Sequence, residues 1–318
     1  MDDRTKALLR QYPQYIPVSV GILPAAWIRH RDALDAIVRR HPILFDPPRN
    51  DRNYDQLWSP TYAAGDHVDV WGCVWSNVHQ GREAIVTGHP LPRRADVWKL
   101  QAPTQDAGLP HGFMYLRLAD LRGFEELMLD FAEEAPELQR LIDVVLEYNL
   151  RQLDIELAKK SEPGMMYFGD DLGMQNSLAM GAPKWRKYLK PCFRKLYQRC
   201  HAAGHRVYMH TDGCIHEIIP DLIECGVDVL NPQIRANGLE NLVRVCKGKV
   251  CVNLDLDRQL FPFCTPADID RHVRECIVAL GSPEGGLWVL AEIDDGVPLE
   301  NVEAICAALE KYRGYFRQ

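Results

Sequence analysis

From residue 165 onward, short apolar runs alternate with segments whose apolar residues recur at helical spacing. Met165–Gly169 is such a run, and Pro183–Ala203 carries Trp185, Tyr188, Leu189, Cys192 and Leu196 along one predicted helix face. Arg206–Met209 predicts a second strand, Ile215–Glu224 a helix ended by Gly226, Val227–Leu230 a third strand and Leu239–Cys246 a short helix. Lys249–Leu254 predicts a fourth strand. Pro266–Leu280 predicts a helix with Thr265 as N-cap and proline at its first position. Gly286–Ala291 predicts a fifth strand and Pro298–Tyr312 the closing helix. Val227-Asp228-Val229-Leu230 and Leu287-Trp288-Val289-Leu290 are almost unbroken apolar runs, as in parallel strands covered on both faces. Five successive strand–helix units predict a parallel α/β architecture.

The first half is less regular. Val18–Leu23 predicts a strand and Ala25–Arg40 its helix. Phe113–Leu118 predicts a further strand, followed by helices over Leu121–Ala132 and from Pro136 to about Lys160. Residues 46–112 are rich in Pro, Gly and Trp and read as an irregular insertion over one face, with strand character in His67–Trp75. The expected fold is a single (β/α)8 barrel domain over residues 1–318, because eight strand–helix units need about 250 residues. Neither GxGxxG nor GxxxxGK[ST] follows any strand, which argues against a nucleotide-binding open sheet.

Composition changes this picture little. The chain has 318 residues, 47% of them hydrophobic, and a net charge of −7 that argues against nucleic acid or an anionic membrane as partner. No apolar run is long enough to span a bilayer, and Met1-Asp2-Asp3-Arg4 does not open a secretion signal. A cytoplasmic enzyme acting on a small molecule is expected, and a homodimer is compatible with an exposed barrel face. The ten cysteines form no CxxC pair and read mostly as reduced, buried small hydrophobes, Cys214, four residues after His210, having a second reading.

Chemistry in parallel α/β folds gathers at the carboxyl ends of the strands. Those ends deliver Asp170-Asp171, His210 with Asp212, Asn231, Asn253 with Asp255, and Glu292 with Asp294. His210 and Asp212 lie two apart and so share a side of the chain. His210, Asp212 and Glu292 are candidate ligands of a divalent metal, with Cys214 as a fourth donor. Asp170 or Asp171 is a candidate acid, base or substrate contact. Met174, Gln175 and Asn176 could line the same mouth, with Asn231 and Asn253. Trp71 and Trp75, four apart on a predicted strand, would form an apolar floor for a flat substrate.

Several of these segments resemble the uroporphyrinogen decarboxylase superfamily. They are Tyr208-Met209-His210-Thr211-Asp212-Gly213, the stretch from Ile218 to Pro232, Phe263–Ile269, Val289–Glu292 with Val297–Ala304, and Val70–Trp75. The resemblance implies a (β/α)8 barrel. Its decarboxylases use an arginine pair near the first strand, whereas Val18–Pro24 carries none and Arg29 and Arg31 fall on the following helix. Its corrinoid-dependent methyltransferases bind zinc through His-x-Cys and a distant Cys. Here His210 matches the first ligand, Asp212 replaces the second, and Ala291-Glu292 stands near the third. The resemblance therefore implies a methyltransferase or O-demethylase passing a methyl group to a corrinoid protein, with zinc or another divalent metal as Lewis acid. A cofactor-independent decarboxylase is the alternative, and a non-catalytic binding protein on the same barrel a third reading.

Overall fold

In the computed structural model, residues 1–45 and 52–317 are described; the first residues of the expected insertion, 46–51, lie outside them. The chain divides into two compact units. One comprises Met1–Gly65, Asn77–Ala84 and Gln233–Gln318, and the other Asp66–Ser76 and Ile85–Pro232. Nine strands lie among the described residues: β1 (Val18–Ile22), β2 (Gly65–Val68), β3 (Val74–Asn77), β4 (Ile85–Gly88), β5 (Met165–Gly169), β6 (Arg206–Thr211), β7 (Val229–Pro232), β8 (Cys251–Asp255) and β9 (Leu287–Ile293).

In the first unit β9 runs between β1 and β8, parallel to both, with Gly21 opposite Glu292 and Leu254 opposite Val289. Helices Pro266–Leu280 and Leu299–Tyr312 pack on one another there and bury Ile277, Ile305 and Leu309. The capping box is complete: the Thr265 hydroxyl accepts from the Asp268 amide, and the Asp268 carboxylate accepts from that of Thr265.

In the second unit β6 lies between β5 and β7, again parallel. The register sets Gly169 opposite His210 and His210 opposite Asn231. One face of these strands is packed by Phe113 and Tyr197 against Phe168, and Phe193 meets both of those rings in turn. Among the described residues no helix is long and apolar enough to cross a membrane.

The expected barrel is met only at the level of a parallel α/β fold. Six parallel strands are present among the described residues rather than eight, and β2, β3 and β4 form a separate three-stranded sheet in which β3 and β4 are antiparallel. Phe113–Leu118 is not a strand. Its residues open a helix, Tyr115–Arg122, that buries Tyr115, Leu118 and Leu121 at helical spacing. The deciding contact comes from distant sequence: the Asp170 carboxylate accepts the amides of Tyr115 (2.5 Å) and Leu116 (2.9 Å), capping two orphan donors of the first turn. The helix expected over Pro183–Ala203 is divided into Gly181–Tyr188 and Lys190–Ala202, because Pro191 cannot continue the hydrogen-bond ladder. The helix after β6 starts only at Ile219.

Candidate metal centre

Three groups of the second unit converge at the carboxyl end of β5 and β6. Asp171 is the second residue after β5, His210 is the penultimate residue of β6, and His111 arrives from the loop before Tyr115–Arg122. The Gly112 amide donates to the Gly169 carbonyl at 2.7 Å, which seats that loop on the end of β5. A Cβ placed on Gly169 would lie 2.4 Å from His111 Nδ1, so the imidazole fills the space a side chain would need.

His111 Nε2 lies 3.1 Å from Asp171 Oδ2, and His210 Nε2 lies 3.9 Å from Asp171 Oδ1. One ligand atom from each of the three residues lies within 4.8 Å of the others. On the far side of its ring, His210 Nδ1 is 2.7 Å from Asn231 Oδ1 and donates to it. That bond fixes the ring orientation and turns Nε2 to the cluster. Nε2 also lies 3.2 Å from Asp212 Oδ1, while the Asp212 amide donates to Asp171 Oδ1 at 3.1 Å.

Burial works against a charge on His210, but the hydrogen bond and charge of Asp212, the charge of Asp171 and the Asn231 contact outweigh it and lift its pKa to about 9. His111 is raised as well, Asp171 overcoming the cost of burial. Burial would push Asp171 up, yet the two imidazoles and the Asp212 amide hold it below the ordinary carboxylate value. Two imidazoles and one carboxylate from three chain segments suit a divalent cation with open coordination positions.

The loops after β5 and β6 touch backbone to backbone. Gly213 has φ +82°, and a Cβ there would lie 2.0 Å from the Gly173 carbonyl oxygen. The Gly173 amide donates to the Asp212 carbonyl, that of Cys214 to Met174, and that of Leu172 to Thr211 Oγ1. Both glycines are needed for this close approach.

The other sequence-predicted residues fall into distinct places. Asp170 is fully buried, and burial pushes its pKa up to about 7 against the two amides it accepts; its carboxylate serves a helix rather than the cluster. Cys214 is not in the cluster: it is buried with its Sγ 3.4 Å from His216 Nδ1. Met174 is about half exposed in the loop after β5. Asn253 is buried on β8 of the first unit, and Glu292 of the same unit forms an ion pair with Arg258.

Trp71 and Trp75 do not share one strand. Trp71 is buried in the turn between β2 and β3 and meets the Tyr148 ring edge-on, whereas Trp75 on β3 stacks on His67 and donates to Asp69. Asp69 forces that turn by accepting the amides of Trp71 and Cys73. His111 escapes a sequence reading, since it sits on no periodic segment. The only trace it leaves is a glycine, residue 169, at the end of an otherwise bulky strand.

Comparison with known proteins agrees with this architecture. Residues 115–312 match the family described as uroporphyrinogen decarboxylase (URO-D). The structure resembles a methyltransferase from Methanosarcina mazei with a TM-score of 0.64 at 18% identity, over 97% of this chain and 98% of that one. A dihydropteroate synthase from Xanthomonas albilineans is similar over 46% of this chain and 53% of that one, at 14% identity and a TM-score of 0.32. No curated protein matches the sequence. With more than half of its length matched, the chain belongs to the uroporphyrinogen decarboxylase family.

Proposed function

We propose that this chain is a cytoplasmic methyltransferase or O-demethylase. It would take a methyl group from a small methylated or methoxylated substrate and pass it to a corrinoid on a partner protein. The observation that carries this reading is the convergence of His111, Asp171 and His210 on a common point, within 4.8 Å. These residues would hold zinc or another divalent cation, in place of the set His210, Asp212, Glu292 and Cys214 expected from sequence. Bound there, the cation supplies Lewis acidity to a substrate heteroatom. The fold likeness to a methyltransferase supports the reaction class, and the sequence resemblance supports the corrinoid acceptor.

The chain's own residues do the orienting. Asn231 holds the His210 tautomer, Asp171 ties the two imidazoles together, and the Gly173–Gly213 contact keeps the β5 and β6 loops in register. In the overall reaction the bond from heteroatom to methyl carbon breaks and its electron pair stays on the heteroatom, which takes a proton from water. The corrinoid, when bound on its partner protein, would supply the acceptor for the methyl group.

A different observation favours a metal-free carboxy-lyase as second reading. The carboxylates of Asp212 and Asp171 lie 3.2 Å and 3.9 Å from His210 Nε2 and favour its protonated form. A substrate carbon–carboxylate bond would break, carbon dioxide would leave, and the carbanion would take the proton of Nε2.

Titration of chelator-treated protein with zinc, read by calorimetry, separates the two. Methyl transfer predicts one tight site that His111→Ala and His210→Ala both abolish, together with loss of methyl transfer from methoxylated substrates to a reduced corrinoid. Absence of a zinc site, with carbon dioxide released from a carboxylated substrate, would sink the first reading and leave the second.

A further inference from the structure

The strand ends of the first unit enclose a cavity that the chemistry above leaves unused. Leu23 follows β1, residues 256–263 form the turn after β8, and Glu292 stands at the end of β9 with residues 294–296 behind it. Arg82 is brought in by Gly81, whose carbonyl accepts the Ala25 amide at 3.1 Å. Gly81 has φ +87°, and a Cβ there would lie 2.9 Å from the Ala25 backbone, so only glycine seats this loop on the start of the helix Pro24–Arg40. The cavity measures about 760 Å³, within the roughly 300–1,000 Å³ usual for small-molecule sites. Every residue lining it belongs to the first unit, and none is among His111, Asp171 and His210.

Its charged lining is balanced, with Arg82, Arg235 and Arg258 set against Glu292, Asp294 and Asp295. Ion pairs do not exhaust these groups. Arg82 Nη2 meets the two Asp295 oxygens at 2.9 and 3.0 Å, and Arg235 Nε donates to Asp257 at 2.7 Å. Nε and Nη1 of Arg82 and both terminal nitrogens of Arg235 find no acceptor among the described residues. Arg258 is held by Glu292. Asp294 accepts the Asp295 amide at 2.7 Å, and no cationic side chain among the described residues pairs with it. Burial and the neighbouring Asp295 raise its pKa, as expected of a carboxyl without a cation of its own. Leu260, Pro262 and Phe263 supply an apolar wall, where the Phe263 ring is 89% exposed.

We infer that this cavity binds a free α-amino acid with a bulky apolar side chain. The carboxylate of the ligand takes the unspent N–H groups of Arg82, its ammonium group takes Asp294, and its side chain lies on Leu260, Pro262 and Phe263. Arg82 and Asp294 are tied together through Asp295, which pairs with the one and follows the other in the chain. A donor and an acceptor of opposite charge thus stand side by side, as carboxylate and ammonium do on one α-carbon. A dianion such as phosphate would meet the carboxylates of Glu292, Asp294 and Asp295, and a simple cation would meet the three guanidinium groups. An analogue lacking either charge leaves one partner unpaired, which is how a polar site discriminates. The apolar wall gains by being covered.

Calorimetry on the full chain tests this with L-phenylalanine, with 3-phenylpropionate, which lacks the ammonium group, and with 2-phenylethylamine, which lacks the carboxylate. L-Phenylalanine is expected to bind about tenfold more tightly or better than either. Asp294→Asn should bring L-phenylalanine down to the affinity of 3-phenylpropionate, and Arg82→Gln should remove its advantage over 2-phenylethylamine, with zinc affinity as in the wild type. Equal affinities for the three compounds, no binding of L-phenylalanine, or an undiminished preference in both variants overturns the assignment. The comparison of the three compounds needs no variant, so a variant that fails to fold does not obscure it. Zinc uptake decides the methyl-transfer reading separately, since this site holds none of the three cluster residues.

Discussion

The imidazole of His111 occupies the place where a side chain of Gly169 would be, 2.4 Å from an added Cβ. The absence of a side chain on β5 is thus what admits a histidine from a loop more than fifty residues earlier. Gly169→Ala is expected to push His111 off Asp171 and lower zinc affinity about 10- to 100-fold, the range for disturbing the support of a ligand. Circular dichroism should show the fold retained. Wild-type affinity in this variant would remove His111 from the site.

Asn231 acts on the cluster through His210. Asn231→Ala removes the acceptor at Nδ1 and frees the ring to change tautomer. Zinc affinity should fall about 10- to 100-fold, and Asn231→Asp, which keeps an acceptor oxygen, should recover most of it. Equal losses in the two variants would show that Asn231 matters for packing alone.

Asp170 is predicted to matter for stability. Asp170→Ala would leave the amides of Tyr115 and Leu116 unpaired next to a buried core. Each buried unsatisfied donor costs about 1–3 kcal/mol. Urea denaturation should therefore show a lower midpoint with unchanged slope.

Gly213→Ala would place a methyl 2.0 Å from the Gly173 carbonyl at a φ of +82°. The backbone conformation alone costs an alanine about 1–3 kcal/mol, and the clash adds to it. A melting temperature equal to that of the wild type would contradict the close approach of the two loops.

Asp120 provides a pH test away from the cluster. Burial raises its pKa to about 6, although Arg117 draws it down. Because the folded value is above the ordinary 3.8, the associated stability is fully present below about pH 4 and is lost as pH rises through about 6. Asp120→Asn should gain stability relative to the wild type between pH 4 and pH 7, measured by urea denaturation across that range. A gap that does not vary with pH would contradict the shift.

Much of the element order is legible in the residues. The runs that form β5 to β9, and the helix over Pro266–Leu280 with its Thr265–Asp268 box, are written in local periodicity and capping chemistry. The strand ends likewise announce Asp171, His210 and Asn231, because ionisable or amide side chains stop apolar runs there. Phe113–Leu118 reads as a strand, and the distant Asp170 carboxylate caps it as the start of a helix instead. Trp71 and Trp75 look like strand neighbours until Asp69 folds the chain back between them.

By itself, then, the sequence determined that parallel strands alternate with helices and which polar groups stand at their ends, since both follow from spacing along a regular backbone. Only the tertiary structure decided which of those groups meet. Ligand convergence depends on long-range registers, Gly169 with His210 and His210 with Asn231, and on a loop histidine that takes the space a glycine leaves free. No periodicity records such meetings, because the residues involved are neighbours in space and strangers along the chain.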